Sequence, residues 1–172
     1  MDSYLSSFIR EIENFPKPGI VFKDITTLLK DPIGFQRASE ALQALCKSFE
    51  VDKVAGIESR GFMFGAILAN TLGVGFVPIR KSGKLPAHTL REEYQLEYGA
   101  DALEIHLDAI QPGDKVLIHD DLLATGGTAV AACNLVEKAG GQVAALAFLV
   151  ELTFLKGREK LQKHTVQSVI QY

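Results

Sequence analysis

The stretch V-L-I-H-D-D-L-L-A-T-G-G-T, from Val116 to Thr128, decides the fold of this chain. Its first four residues predict a mostly apolar strand that ends in two adjacent carboxylates, Asp120 and Asp121. A turn of small residues follows, and the apolar pattern after it predicts a helix. A strand, a tight glycine turn and a helix N-terminus together are typical of an anion site, because backbone N–H groups converge there and the helix dipole favours negative charge.

The two carboxylates restrict what this anion site binds. They would repel a phosphate alone, but they suit a ligand that carries both a phosphate and a vicinal diol, because carboxylates accept hydrogen bonds from hydroxyls. A ribose 5-phosphate has both groups. The alternative is that each half is ordinary, since aspartates often end an exposed strand and glycines often form a loop. The order of strand, acids, aliphatic pair and glycine turn favours the binding site.

Two other phosphate-binding motifs are absent from the sequence. It contains no G-x-x-x-x-G-K-[ST] motif. Its only G-x-G, at Gly73 and Gly75, has Pro78 at the position of the third glycine of a dinucleotide-binding motif. The sequence therefore predicts neither a P-loop nor a dinucleotide-binding fold.

The composition is that of an ordinary globular chain, with 172 residues, 47% hydrophobic and 23% charged, which predicts a single domain. A net charge of −3 argues against a nucleic-acid partner, which requires a basic surface. Cys46 and Cys133 form neither a C-x-x-C motif nor a disulfide framework, which favours a reduced, cytoplasmic protein. The N-terminus lacks the pattern of a signal peptide, and glycines and Pro78 interrupt the uncharged run 61–79, so we expect a buried helix and strand there and no membrane span.

Alternating helix and strand patterns predict an α/β fold with a twisted, mostly parallel sheet and helices on both faces. The predicted strands are 53–57, 76–80, 103–107, 115–119 and 142–150, and the predicted helices are 3–13, 62–72, 127–139 and one that begins at Pro32. Residues 81–100 are polar and weakly periodic, which predicts a flexible loop that acts as a lid. Because ligands bind at the carboxyl ends of parallel strands, we expect Glu58–Gly61 and Asp120–Thr128 to share one site.

Five further motifs extend the pattern over most of the chain. They are F-P-K-P-G-I-V-F-K-D-I-T from Phe15, E-S-R-G-F from Glu58, R-K-S-G-K-L-P from Arg80, L-E-Y-G from Leu96 and V-E-L-T-F-L-K-G-R-E-K-L from Val150. With the acid pair and the glycine turn, they make the chain resemble the type I phosphoribosyltransferases, and within that family the members that act on adenine. The resemblance covers about residues 15–161.

The resemblance implies a single phosphoribosyltransferase domain over residues 1–172. A small N-terminal hood of about residues 1–30 would bind the base, and the flexible lid of about residues 81–100 would be catalytic. The implied reaction transfers the 5-phosphoribosyl group of phosphoribosyl pyrophosphate to adenine, giving AMP and pyrophosphate. Mg²⁺ is the implied cofactor, held mainly by substrate oxygens and water rather than by a metal site of the protein. A homodimer is also implied, with residues 80–84 near the partner.

The resemblance also assigns roles to individual residues. Asp120 and Asp121 would bind the ribose hydroxyls and stabilise positive charge on the sugar in the transition state. Glu97 and Tyr98 would be the catalytic pair of the lid, with the carboxylate accepting a ring proton of adenine. The residues expected to bind substrate are Val21, Phe22 and Lys23 for the base, Ser59, Arg60, Gly61, Arg80, Lys81 and Lys84 for the pyrophosphate, and Ala124, Thr125, Gly126, Gly127 and Thr128 for the 5-phosphate.

Several of these residues have a structural alternative. Arg60 would then only pair with Glu58 on the surface, and Glu97 would be an exposed loop acid. His119 stands where relatives commonly have an aliphatic residue, and we expect it to be a packed, hydrogen-bonded residue of the strand. Lys23 stands where relatives often have arginine, so the charge is kept but the bidentate guanidinium is not.

Two other functions stay open at this point. The phosphoribosyl motif contacts only the sugar phosphate, so the acceptor could be another purine, such as xanthine, hypoxanthine or guanine. Some proteins with this fold instead bind phosphoribosyl pyrophosphate as a signal and regulate transcription. A regulator would need a DNA-reading module or a basic face, and the sequence predicts neither.

Overall fold

The computed structural model describes residues 3–95 and 100–172. Its helices and strands, in chain order, are α1 (Ser3–Ser6), β1 (Arg10–Glu13), β2 (Val21–Asp24), α2 (Thr26–Lys30), α3 (Pro32–Cys46), β3 (Lys53–Ile57), α4 (Gly61–Leu72), β4 (Gly75–Lys81), β5 (Thr89–Gln95), β6 (Ala100–His106), β7 (Lys115–Leu123), α5 (Gly127–Lys138), β8 (Gln142–Glu151) and β9 (Val166–Gln171). Two short 3-10 helices, Thr153–Leu155 and Gly157–Leu161, lie between β8 and β9.

A seven-stranded sheet in the order β5-β6-β4-β3-β7-β8-β9 forms the centre of the molecule. Strands β4, β3, β7, β8 and β9 are parallel to their neighbours. At the β4 edge, β6 pairs antiparallel with β4, and β5 pairs antiparallel with β6. This confirms the predicted mostly parallel sheet. Because β3 and β7 are direct neighbours, their carboxyl ends lie side by side, and the residues that follow β3 meet the acid pair of β7.

Helices cover both faces of the sheet, as predicted. Along β7 the side chains alternate, so Val116 and Ile118 belong to the core that contains α5, whereas Leu117 belongs to the core that contains α3 and α4. The predicted start of α3 at Pro32 is confirmed. Asp31 caps this helix by accepting hydrogen bonds from the N–H groups of Ile33 and Gly34, at 2.9 and 2.8 Å.

The prediction of one helix over residues 3–13 was wrong. Only α1 is helical there, and the chain then forms β1, which pairs with β2 as a separate two-stranded antiparallel ribbon. Arg10 pairs with Asp24 and Glu11 with Lys23 across this ribbon, so charged residues that suggested the exposed face of a helix instead join two strands. The hydrophobic spacing misled because Leu5 and Ile9 are buried in either arrangement.

The prediction of a long loop over residues 81–100 was also wrong in part. Residues 89–95 form β5, which pairs with β6 along its whole length. The strand was hidden because its inward side is not purely apolar: Leu90 and Tyr94 pack on the core, but Glu92 lies between them and binds Asn134 and Lys138 of α5. Residues 96–99 lie outside the described part of the chain.

Two further differences concern the strands of the sheet. Strand β7 does not end before the acids but continues through them to Leu123, because β8 pairs with it over Asp120 and Leu122. Strand β9 was not predicted and adds to the far edge of β8. The uncharged run divides into α4 and β4 as predicted, and no helix within 3–95 or 100–172 is long and apolar enough to cross a membrane.

Candidate active site

The acid pair lies near the carboxyl end of β7, beside the residues that follow β3. The side chain of Asp121 is buried, and Asp120 is half-buried. The Asp121 N–H donates to Asp120 Oδ1 at 2.9 Å. Arg60 Nε lies 3.1 Å from Asp121 Oδ2, and this contact is an ion pair without hydrogen-bond geometry. Asp121 Oδ2 is thus a buried oxygen that faces the Arg60 guanidinium and has no hydrogen-bond donor among the described residues.

Burial shifts the pKa values of both acids. Burial raises the pKa of Asp120 well above its ordinary value, and the neighbouring charge of Asp121 raises it further. Burial also raises the pKa of Asp121, although the Arg60 guanidinium opposes this. The surroundings of both carboxyl groups thus favour their protonated forms.

The loop from Glu58 to Gly61 packs directly on the acid pair. A Cβ added at Gly61 would lie 2.8 Å from the carbonyl oxygen of His119 and 3.0 Å from Asp120 Oδ1, so only glycine allows this approach. The Glu58–Ser59 peptide bond is cis. The predicted loop after β3 and the predicted acid pair therefore form one site.

Arg60 pairs with Asp121 and not with Glu58, which excludes the structural alternative for this arginine. Glu58 instead holds two of the predicted cations: it accepts hydrogen bonds from Arg80 Nε at 3.2 Å, from the Lys81 N–H at 3.0 Å and from Lys84 Nζ. Burial would raise the pKa of Glu58, but these donors outweigh it and lower the pKa to about 2. Arg80 and Lys84 are thus fixed beside the loop at residues 59–61.

The third predicted cation, Lys81, points to a different partner. Its Nζ lies 3.3 Å from Asp101 Oδ2, and the Tyr94 hydroxyl donates to the same oxygen at 3.3 Å. Burial raises the pKa of Tyr94, while a hydrogen bond with the Thr128 side chain opposes this. These contacts link β5 and β6 to the end of the glycine turn, and the sequence analysis assigned no role to Tyr94 or Asp101.

The glycine turn forms a small cavity together with Asp120, the first residue of the acid pair. Residues 124–128, Asp120 and Phe148 contribute to the lining of a cavity of about 80 Å³. Gly126 adopts φ +81°, and α5 begins directly after it, so the first N–H groups of this helix are available to an anion. The predicted phosphate loop and the predicted diol-binding acids are therefore adjacent.

Gly157 supports this loop from behind, and the sequence analysis assigned it no role. A Cβ on Gly157 would lie 2.1 Å from the Ala124 carbonyl oxygen, and one on Gly126 would lie 2.5 Å from the Gly157 carbonyl oxygen. Two segments 31 positions apart in sequence thus pack backbone against backbone. The V-E-L-T-F-L-K-G motif contains Gly157 and was the available signal, although nothing in it indicates a neighbour.

The predicted base-binding residues lie on β2 above the site. The Arg60 guanidinium carbon is 5.4 Å from the centre of the Phe22 ring, and Phe15 packs edge-on against the same ring. Val21 is 42% exposed. The Lys23 side chain points away from Arg60, toward Glu11 and Tyr172. Phe22 is therefore the part of this segment that adjoins the acid pair through Arg60.

His119 is a packed residue of β7, as expected. It is fully buried, its Nδ1 lies 2.9 Å from the Ala147 carbonyl oxygen, and burial lowers its pKa to about 4 despite that hydrogen bond. The predicted catalytic pair, Glu97 and Tyr98, lies outside the described residues, so its position stays a prediction.

Comparison with known proteins identifies the family of the chain. The family model for the phosphoribosyl transferase domain matches residues 24–170. The chain belongs to the phosphoribosyltransferase family. The adenine phosphoribosyltransferase of Chloroflexus aurantiacus is 60% identical over 168 residues, which cover 98% of this chain and 97% of that protein.

Solved phosphoribosyltransferases share the fold. The crystal structure of the adenine phosphoribosyltransferase from Thermoanaerobacter pseudethanolicus aligns with a TM-score of 0.95 at 55% identity, covering 98% of both chains. The Saccharomyces cerevisiae enzyme, solved with an imino-altritol bisphosphate and adenine, aligns with a TM-score of 0.90 at 43% identity, covering 96% of both chains. The acid pair and the glycine turn are the features of this phosphoribosyltransferase that suit a sugar phosphate.

Proposed function

We propose that this chain transfers the 5-phosphoribosyl group of phosphoribosyl pyrophosphate to adenine, giving AMP and pyrophosphate in purine salvage. The observation that carries the proposal is the cavity that the glycine turn forms with Asp120, next to the Asp121–Arg60 pair. The choice of adenine is supported by relatives of 54–60% identity that are named adenine phosphoribosyltransferases.

The sugar phosphate is held by residues of β7 and the turn that follows it. The N–H groups of residues 124–128 and of the first turn of α5 donate to the 5-phosphate. Asp120 and Asp121 accept hydrogen bonds from the ribose hydroxyls, with Asp120 at the wall of the cavity. As the glycosidic bond breaks, positive charge develops on the ring, and the two carboxylates stabilise it.

The pyrophosphate leaves toward the loop after β3. The Gly61 backbone and the Arg60 guanidinium adjoin the acid pair, with Ser59 next to them in the chain, and Glu58 holds Arg80 and Lys84 beside this loop. Their positive charge stabilises the departing oxygen, which takes the electron pair of its bond to the anomeric carbon. Lys81, paired with Asp101, lies at the edge of this group.

Adenine binds against β2, where Phe22 offers a face for stacking and the backbone of Val21 and Lys23 offers donors and acceptors to the purine edge. A ring nitrogen of adenine attacks the anomeric carbon and loses its proton. We assign that proton to Glu97 of the lid, with Tyr98 beside it, by resemblance alone. A carboxylate supplied by lid closure is a suitable base for this step.

Mg²⁺ fits this site as a partner of the substrate rather than of the protein. Within residues 3–95 and 100–172 no group of three or more His, Cys, Asp or Glu is arranged to hold a metal ion. The diol and diphosphate oxygens of the substrate are ligands of the kind that Mg²⁺ prefers, together with water. When bound, the ion neutralises pyrophosphate charge and so makes it a better leaving group.

We further propose a homodimer in the cytoplasm. Exposed apolar side chains such as Ile33 and Met63, at 55% and 41% exposure, support an association surface. The two cysteines are free and buried, and burial raises the pKa of each to about 12, which suits a protein without disulfides in a reducing compartment. Sedimentation velocity would give twice the chain mass if the dimer forms and the chain mass if it does not.

Turnover with separate purine bases tests the function. The purified protein is incubated with phosphoribosyl pyrophosphate, Mg²⁺ and adenine, hypoxanthine, guanine or xanthine, and nucleotide and pyrophosphate are quantified. We expect AMP and pyrophosphate in equal amounts from adenine only. Product from an oxopurine instead would overturn the choice of base, and binding of the sugar phosphate without any product would favour the regulatory alternative. In the same assay Glu97→Gln should lower kcat at least about a hundredfold while the KM for phosphoribosyl pyrophosphate changes little.

A further inference from the structure

Strand β2 is held on both of its faces. Successive side chains of a strand point to opposite sides, so Phe22 and Lys23 face in opposite directions. Phe22 lies toward Arg60, with 5.4 Å between the guanidinium carbon and the ring centre. Lys23 lies toward β9, against the ring of Tyr172. The strand proposed to bind the base is therefore fixed between the acid site and the far edge of the main sheet.

The contact of Lys23 is a close cation–π interaction. Its Nζ lies 3.9 Å from the centre of the Tyr172 ring and also pairs with Glu11, its direct partner in the β1–β2 ribbon. Only 10% of the Lys23 side chain is exposed, compared with 56% for Glu11. Because the ammonium is largely removed from water, its attraction to the ring is stronger than at an exposed site.

Tyr172 is itself held rigidly by its backbone. Its N–H donates to the Glu151 carbonyl oxygen at 2.9 Å, and its own carbonyl accepts from the Thr153 N–H at 2.9 Å and from Thr153 Oγ1 at 2.6 Å. The ring also packs against the core cluster on the α3–α4 side of the sheet. A ring fixed in this way can set the position of the ribbon that touches it.

From these contacts we infer that Tyr172, acting through Lys23, is a positioning residue for adenine. It fixes the height of β2 above Arg60 and therefore the distance between the purine edge and the anomeric carbon. Neither side chain touches the base; the effect reaches it through the backbone of Val21 to Lys23. The inference rests on the proposed function, and specifically on the placement of the base against β2.

The inference separates the affinity for the base from the affinity for the sugar phosphate. Among the described residues, no hydrogen bond, ion pair or cation–π contact joins Lys23 or Tyr172 to the acid pair or to the phosphate turn at residues 124–128. Loss of the cation–π contact should therefore weaken adenine binding and leave phosphoribosyl pyrophosphate binding in place. Substitution of a residue that only stabilised the fold would instead reduce the amount of folded enzyme, and with it the activity measured with either substrate varied.

Steady-state kinetics of the full chain provide the test, with kcat and both KM values measured for Tyr172→Leu and Lys23→Met. Each should raise the KM for adenine about three- to tenfold, with kcat and the KM for phosphoribosyl pyrophosphate changed by less than about twofold. The double variant should be no worse than either single one, because both remove the same contact. Tyr172→Phe and Lys23→Arg, which keep the ring and the charge, should restore nearly normal values.

Lys115→Met is the matched control, because Lys115 also pairs with an exposed glutamate, Glu50, but lies at the opposite end of the sheet. It should leave all three constants unchanged. Phe22→Leu serves as the positive control for the base site.

The clasp variants are Tyr172→Leu and Lys23→Met, which remove the cation–π contact. If Phe22→Leu raises the KM for adenine and both clasp variants leave it unchanged, the inference about Tyr172 is wrong and the base site stands. If Phe22→Leu and both clasp variants leave that KM unchanged, the placement of the base is wrong and the inference with it. Equal increases in both KM values would also overturn the positioning role.

Discussion

Asp121 is the most unusual residue of the site, because its carboxylate is buried and one of its oxygens has no hydrogen-bond donor among the described residues. Burial raises its pKa, so the fold disfavours the charged form that the proposed chemistry requires. Such a cost is expected at a site that is completed by its ligand. The carboxylate is therefore better explained by function than by stability.

The first prediction concerns Asp121→Asn. The variant should lose at least about a hundredfold in kcat, equivalent to roughly 3 kcal/mol, because the developing positive charge on the sugar loses a buried carboxylate. Its free energy of unfolding at pH 7 should not fall, since a neutral amide replaces a charge that the fold disfavours. Kinetics and urea denaturation of the same preparation measure both quantities.

Asp114→Asn is the matched control for this prediction. Asp114 directly precedes the same strand, pairs with Lys53 at 2.6 Å and lies at the end away from the site. It should keep full activity and be slightly less stable. Near-normal activity in Asp121→Asn would remove the argument that the acids bind the sugar.

At the scale of elements, the phosphate turn depends on a segment distant in sequence. Gly157 leaves no room for a side chain, because its Cβ would lie 2.1 Å from the Ala124 carbonyl oxygen. A side chain at this position would displace backbone atoms of the phosphate turn, and that displacement would change the directions of the N–H groups in the turn. The shape of the anion site is therefore set from behind by the 3-10 helix that begins at Gly157.

The second prediction is that Gly157→Ala raises the KM for phosphoribosyl pyrophosphate at least about tenfold, because misdirected N–H groups lose part of their charge-assisted hydrogen bonding to the phosphate. Gly75→Ala, at a glycine with open space around it, should have no such effect. Titration with AMP, followed by calorimetry, gives an independent measure. Unchanged affinity for both ligands would contradict the supporting role of Gly157.

The same scale shows where sequence patterns were sufficient. The strands β3 and β8, the helices α4 and α5 and the start of α3 were predicted nearly to the residue, because each has a clear apolar pattern and all but β3 have a glycine or proline at a boundary. The helix over residues 3–13 and the loop over residues 81–100 failed. Charged side chains pair across two strands in the first segment, and Glu92 binds helix α5 in the second, so polarity that indicates solvent exposure in isolation is satisfied by a neighbour.

The site followed the same division. The acid pair, the glycine turn and the loop after β3 were found because each is a contiguous motif, and parallel topology brings their strand ends together. Gly157, Tyr94 and Tyr172 were not assigned roles, because their contacts join segments that are distant in sequence. The alternative in which Arg60 pairs with Glu58 was wrong, because Glu58 binds Arg80 and Lys84 instead.

At the scale of the whole molecule, a buried histidine makes stability depend on pH. His119 is fully buried and its pKa is lowered to about 4, whereas the unfolded chain titrates near 6.5. Below 6.5 the unfolded state binds a proton that the folded state does not, so stability is present above this pH and is lost as the pH falls toward 4. Asp120 and Asp121 act in the opposite direction, because their raised pKa values favour the folded state as they are protonated.

The third prediction isolates this contribution by comparing the wild type with His119→Gln. Between pH 7 and pH 5 the free energy of unfolding of the wild type should fall by about 2 kcal/mol more than that of the variant. Urea denaturation at several pH values measures the difference, in which contributions from the other titrating groups cancel. Parallel pH curves for the two proteins would show that His119 is not held neutral in the fold.

The most direct test of the whole account is a crystal structure of the protein with AMP. We predict the phosphate within hydrogen-bond distance of the N–H groups of residues 124–128, the ribose hydroxyls on Asp120 and Asp121, and the adenine ring against Phe22. A phosphate bound elsewhere, or ribose hydroxyls that make no contact with the two carboxylates, would contradict the central claim that this acid pair and glycine turn recognise a ribose 5-phosphate.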